Sequence, residues 1–223
     1  MKRFSFLFLL MLSCLLFPGC GGSQPEKAPA SAKKHPAADQ FRSPSTSVPS
    51  EEIDTGFSSP ELDVLDGIKV KQKDSAVELN IPADFLGPVT QEDLEQIASD
   101  AGYPYAALHD DGSVTLRMSQ QQHLDLMEGM ADFIREGLED MTASEEYPRF
   151  REISTNENFT EFTVLLSSEK LETSDSYSAM TFFMYGKLYG AFSGEDTESV
   201  HVEYVSQDSG QVIRAFDSSD VQE

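Results

Sequence analysis

A chain of 223 residues with 39 acidic and 16 basic side chains has a formal charge of −23 and an isoelectric point near 4.3. A surface this negative repels phosphate backbones and anionic lipid headgroups, which sets nucleic acid aside as a partner, and it favours cationic partners or plain solubility. Both cysteines, Cys14 and Cys20, lie close to the start, so the rest of the chain folds without a disulfide on a core that its length can supply.

Met1-Lys2-Arg3 gives a positive start, and Phe4 to Phe17 is an apolar run broken only by Ser5, Ser13 and Cys14. The run is shorter than the ~20 residues of a spanning helix and is followed by a turn, which is the layout of a secretory signal peptide. Leu16-Phe17-Pro18-Gly19-Cys20 closes it. These residues resemble the lipobox of bacterial prolipoproteins, in which a small residue stands directly before the cysteine. The resemblance implies that residues 1–19 are cleaved as a signal peptide and that the Cys20 sulfur is diacylated with fatty acids such as palmitate. It also implies a chain held on the extracellular face of the cell membrane. Phe17 and Pro18 depart from the family's preference for Leu and for Ala or Ser. Cys14 is the competing position, but cleavage there would leave Leu15-Leu16-Phe17 exposed, whereas Gly21-Gly22-Ser23 follows Cys20 as a flexible spacer. Two or three acyl chains anchor firmly, since each buried methylene contributes ~0.8 kcal/mol.

Residues 20–60 hold six prolines and are rich in Ser and Ala. Such a stretch cannot bury enough apolar surface to offset its ordering entropy, and the expectation is a disordered tether. As a coil it spans ~35 Å, and drawn out it reaches ~130 Å. Its charge is nearly balanced, whereas residues 61–223 carry 34 acids against 10 bases.

From residue 61 hairpins alternate with helices. Ile68 to Gln72 and Val77 to Ile81 alternate apolar and polar residues, as half-buried strands do. Thr90 and Asp93 can cap a helix whose stripe is Leu94, Ile97, Ala98 and Ala101, and Gly102 with Pro104 stops it. Tyr105 to His109 and Val114 to Met118 flank Asp110-Asp111-Gly112-Ser113, a strong hairpin signal. Ser119 and Gln122 make a second capping box for a helix reaching about Thr142, with Leu124, Met127, Ala131, Ile134, Leu138 and Met141 as its apolar stripe. Gly129 and Gly137 in that helix mark places where another element packs close. A third hairpin joins Phe150–Ser154 to Glu161–Leu166, a helix covers about Thr173–Phe192, and a fourth hairpin joins Val200–Val205 to Val212–Phe216.

The order ββαββαββαββ predicts a two-layer α+β domain of antiparallel hairpins with helices on one face, leaving open whether there is one sheet or two. This arrangement, and Asn156-Glu157-Asn158-Phe159-Thr160-Glu161-Phe162 in particular, resembles uncharacterised surface lipoproteins of Gram-positive gut bacteria. That resemblance implies no catalytic residues.

The helix around residues 173–192 is apolar on nearly its whole circumference. Two readings stand: burial on several sides, or a groove for an apolar ligand or protein partner lined by Tyr177, Met180, Met184, Tyr185 and Tyr189. Gly186-Lys187-Leu188-Tyr189-Gly190 matches GxxxG but contains Lys187 and lies in a segment too short to span a bilayer. None of the four histidines has metal-ligand or nucleophile spacing. Glu195, Asp196 and Glu198 with His201 nearby are the closest approach to a metal cluster, and a solvated acidic loop explains them as well. No cofactor is expected. The residues favour a non-catalytic, lipid-anchored binding module over the alternative of a cell-envelope hydrolase or transferase using acids such as Glu195 and Glu198.

Overall fold

The computed structural model describes residues 60–73 and 75–221; the 1–19 leader, Cys20 and nearly all of the 20–60 tether lie outside the described residues. Eight strands form two four-stranded sheets. They are β1 (Lys69–Lys73), β2 (Ala76–Ile81), β3 (Tyr105–Leu108), β4 (Val114–Ser119), β5 (Phe150–Thr155), β6 (Glu161–Leu166), β7 (His201–Ser206) and β8 (Val212–Asp217). Among the described residues five helices accompany them: the single-turn α1 (Pro60–Asp63) and α2 (Ala83–Leu86), then α3 (Gln91–Ala101), α4 (Gln120–Ala143) and α5 (Thr173–Ser193). The domain is α+β, as its alternation of hairpins and helices predicts, and the number of sheets is two.

The first sheet runs β1-β2-β4-β3 and is antiparallel throughout. The second runs β5-β6-β7-β8, and its central pair, β6 with β7, is parallel. Parallel neighbours cannot be joined by a tight turn, so the chain must leave the sheet and return, and α5 is that crossover. Hairpin periodicity alone carries no sign of this pairing.

Both long-helix starts are built as the sequence predicts. Thr90 Oγ1 accepts from Asp93 N at 3.2 Å while Asp93 Oδ2 accepts from Thr90 N at 3.1 Å, and Ser119 with Gln122 repeats the arrangement. Gln122 goes further, its Nε2 donating to the carbonyls of Ala101 and Gly102 at 3.1 and 3.0 Å. One side chain thus starts α4 and seals the end of α3, where Gly102 turns left-handed at φ 65°.

Alternate residues of the inner strands fill one continuous core: Val77, Leu79 and Ile81, then Leu116 and Met118, then Phe162, Val164 and Leu166, then Val202 and Tyr204. α4 contributes Met127, Met130, Ala131, Ile134, Leu138 and Met141. Leu124 does not belong to that stripe; it is 61% exposed. Counting back from Ile134 through Ala131 and Met127 in steps of three and four reaches His123, so Leu124 falls on the face of Glu128 and Arg135. His123 is buried and its Nε2 meets the Phe192 carbonyl at 2.8 Å.

α5 packs on α4, on β7 and on β1 with the 3-10 turn Val64–Gly67 before it. Its apolar circumference therefore has neighbours on several sides. A Cβ on Gly186 would run into the Phe159 carbonyl oxygen and lie 2.6 Å from Val200 Cγ2, and one on Gly190 would strike Thr197. The GxxxG pair is thus a seam inside the domain, where the β5–β6 turn and the segment before β7 press on the helix backbone. Among the described residues no helix is long and apolar enough to cross a membrane.

Phe159 holds the other side of this seam. It adopts a left-handed φ of 56°, which costs a non-glycine residue about 1–3 kcal/mol. Asn156 supports the conformation: its Oδ1 accepts from the Thr160 and Glu161 amides at 2.9 and 3.3 Å, and its Nδ2 donates to Thr160 Oγ1. The Phe159 ring gains complete burial in return, edge-on to Tyr189 with centroids 4.8 Å apart and under the Arg135 guanidinium.

At the opposite end of α5, Asp175 is buried at 1% exposure and accepts from Arg149 Nη2 at 2.5 Å and from the Glu172 amide at 3.0 Å. Arg149 also pairs with Glu172. Tyr204 reaches in from β7 to Ser178 Oγ and the Asp175 carbonyl, and burial pushes its phenol well above the usual tyrosine range. Removing Arg149 would strand a carboxylate in the core, at a cost of about 3 kcal/mol.

Two substitutions test this packing. Urea denaturation of Gly186→Ala should show a loss of about 2 kcal/mol or more, because backbone and a β-branched side chain block the new methyl. Arg149→Met should cost about 3 kcal/mol in the same measurement, because it leaves the buried Asp175 carboxylate without its guanidinium partner.

Candidate functional site

Each sheet turns one face to the helices and leaves the other open, and the registers fix what the open faces carry. On the second sheet the cross-strand rows of that face are Glu161, His201 and Asp217, then Ser154, Thr163, Glu203 and Ala215, then Glu152, Leu165, Val205 and Val212. An apolar row, with Val212 45% exposed, thus adjoins two rows carrying three acids and one histidine.

His201 is clamped within that face. Its Nδ1 lies 3.0 Å from Asp217 Oδ1 on β8 and its Nε2 3.3 Å from Glu203 Oε1 on its own strand. Partial burial pulls the imidazole pKa down, but hydrogen bonds to Asp217 and Glu203 and their charges outweigh it, so the net shift is upward. The sequence places His201 with Glu203 on one polar strand face. Asp217 is 16 residues away and becomes its partner only once the β7–β8 register is known.

The open face of the first sheet has the opposite sign. Alternation along β1 puts Lys69, Lys71 and Lys73 on it, all exposed, and the registers bring Glu78 of β2, Arg117 of β4 and Tyr105 of β3 into the row of Lys71. Arg117 pairs with Glu78 at 3.0 Å and lies over the Tyr105 ring, 5.4 Å from its centroid. The Arg117 hydrogen bond, with the charges of Arg117 and Lys71, holds the Glu78 carboxyl below the usual carboxylate range against its slight desolvation. Four of the 10 bases in residues 61–223 share this face with one strand acid, although the domain as a whole is strongly negative. This patch goes beyond what the sequence predicts; its readable sign is three lysines at period two, two strands from Arg117.

The tyrosines and methionines of α5 are spread around the helix. Tyr177 is 57% exposed near the N-terminal end. Met180, Met184, Tyr185 and Tyr189 are half-buried against the core. Tyr185 stands edge-on to Phe133, and its hydroxyl occupies the space that a Cβ on Gly137 would need, so Gly137 does mark a close approach. Burial raises the Tyr185 phenol above the usual tyrosine range.

Glu195, Asp196 and Glu198 are all exposed in the segment before β7. Lys187 of α5 pins that segment through the Thr197 and Glu198 carbonyls at 2.7 and 3.4 Å, and Asn158 donates to Glu195 at 3.3 Å. Among the described residues no three His, Cys, Asp or Glu side chains converge in a way that could hold a metal ion. Compared with known proteins, the chain matches no family model, no curated protein and no solved structure.

The clamp on His201 makes a pH prediction. A histidine whose folded pKa lies above its unfolded value of ~6.5 stabilises the fold fully below ~6.5, and that contribution is lost as pH rises through the folded value. His201→Gln should therefore lower the thermal midpoint more at about pH 5 than at about pH 9. NMR titration of the parent ring should give a midpoint above ~6.5.

Proposed function

We propose that this protein is an exported lipoprotein, anchored to the extracellular face of the cell membrane through Cys20, whose domain is a non-catalytic binding module for a cationic polypeptide. The observation that carries the anchoring is the ordered succession of basic start, apolar run, Gly19-Cys20 and Gly21-Gly22-Ser23 spacer. Binding draws its support from the open face of the second sheet. There Leu165, Val205 and Val212 form an apolar edge next to the row of Glu203, with Glu161 and Asp217 one row further on, so apolar contact area and negative charge share one open face. The acids would steer a cationic partner and the apolar row would hold it.

Catalysis finds less support. Glu195 and Glu198 are exposed on the surface of a loop pinned by Lys187, whereas proton-transfer groups are usually held in a cleft.

Two measurements test the reading. Cys20→Ala should abolish incorporation of an alkyne-labelled palmitate and move the protein from the membrane pellet to the soluble extracytoplasmic fraction. Unchanged labelling and sedimentation would refute the anchor. Pull-down from envelope extract should recover a basic protein whose capture weakens in high salt and is lost with Val205→Glu, a substitution on the open sheet face. Capture that ignores both would move the binding site elsewhere.

A further inference from the structure

The open face of the first sheet is basic on a protein that is otherwise acidic, and it lies at the end of the domain's chain where the tether joins. From Pro60, only α1 and the short 3-10 turn Val64–Gly67 precede β1. Lys69, Lys71 and Lys73 project from β1 to the same side, and Arg117 and Tyr105 continue the row of Lys71 across the sheet. Glu78, the one acid among the strand residues of that face, is already neutralised by Arg117. Asp110 and Asp111 sit apart in the β3–β4 turn, where Asp111 is occupied with the amide and hydroxyl of Ser113 at 3.0 and 2.6 Å.

We propose that this face docks on the anionic phospholipid headgroups of the membrane that carries the anchor. The inference rests on the lipid-anchored reading for its geometry but not for its chemistry. An open sheet face carrying long lysine stems and an exposed tyrosine suits a planar interface, because the stems reach while the ring sits at headgroup level. Each basic side chain near an anionic surface strengthens attachment about fivefold.

The net charge of the domain does not forbid this. α3 and α4 pack on the first sheet through the apolar core, opposite the basic face, and salt at physiological strength screens their outer acids over ~8 Å. Repulsion from them is screened while contact at the basic face is not. The same asymmetry orients the domain, turning its basic sheet to the bilayer and its acids outward. A tether of ~40 residues holds the face at a high local concentration, so a weak intrinsic attraction suffices to populate the docked state.

The test uses the chain from residue 20 onward with Cys20→Ala, so that no acyl group contributes. It is sedimented with vesicles of phosphatidylcholine alone and of phosphatidylcholine mixed with phosphatidylglycerol, at low and high salt. The proposal expects binding to the anionic vesicles at least about tenfold above the neutral ones, suppressed by salt. The triple substitution Lys69→Gln, Lys71→Gln and Lys73→Gln should reduce that binding to the neutral level while circular dichroism stays unchanged, and Lys170→Gln, in the loop before α5, should leave it intact. Equal sedimentation with both vesicle types overturns the proposal. So does undiminished binding by the folded triple variant, which would assign the attraction to Lys27, Lys33, Lys34 and Arg42 of the tether. Binding to polyglutamate but not to vesicles overturns it in favour of an acidic protein partner. Because the acyl group is absent, failure here leaves the palmitate labelling result untouched, and the reverse also holds.

Discussion

The parallel pairing of β6 with β7 is the constraint on which the domain depends. It forces the chain to cross over, the crossover is α5, and α5 must then pass between the second sheet, α4 and the edge of the first sheet. A helix in that position needs apolar side chains in every direction. It also needs gaps where neighbours come closest, and Gly186 and Gly190 supply them. Phe159 accepts an unfavourable backbone to fill the space beside Gly186, and Asn156 holds it there. At the other end the Arg149–Asp175 pair and the Tyr204 hydroxyl fix the first turn of the same helix. The core of both sheets is continuous because α5 and α4 each touch both.

With every helix committed to the core, the two open sheet faces are left to meet the surroundings, and they differ in sign. The first carries Lys69, Lys71, Lys73 and Arg117; the second carries Glu152, Glu161, Glu203 and Asp217 around His201. A net charge of −23 describes neither. The total conceals a division between the two faces.

Local features were legible in the sequence because their physics is local. Thr90 with Asp93, Ser119 with Gln122, the Asp111-Gly112 turn and Gly102 all declare themselves within a few residues, and each is found where its chemistry puts it. Leu124 lies three residues before Met127 and His123 four, both allowed steps of a helical stripe, and only the packing decides for His123. What depends on pairing was not legible. The parallel β6–β7 register, the approach of Asp217 to His201 and the alignment of Arg117 with Lys71 join residues from distant strands, and no periodicity within a strand encodes its neighbour. That α5 is apolar on nearly its whole circumference is legible in its residues, but which tyrosine faces α4, the Phe159 turn or water follows from the crossover alone.

The route by which the chain enters the domain also sets how it yields to force. A pull at residue 60 runs through one helical turn and a 3-10 turn, seated in the core by Leu62, Leu65 and Ile68, straight onto β1. That strand is the sheet's outermost, with β2 as its sole ladder partner. Stretching would therefore extract the three apolar plugs first and then strip the edge strand away, while the helix crossover and the second sheet stay shielded behind them. The entry segment is a mechanical fuse, yielding length before the rest of the molecule bears load.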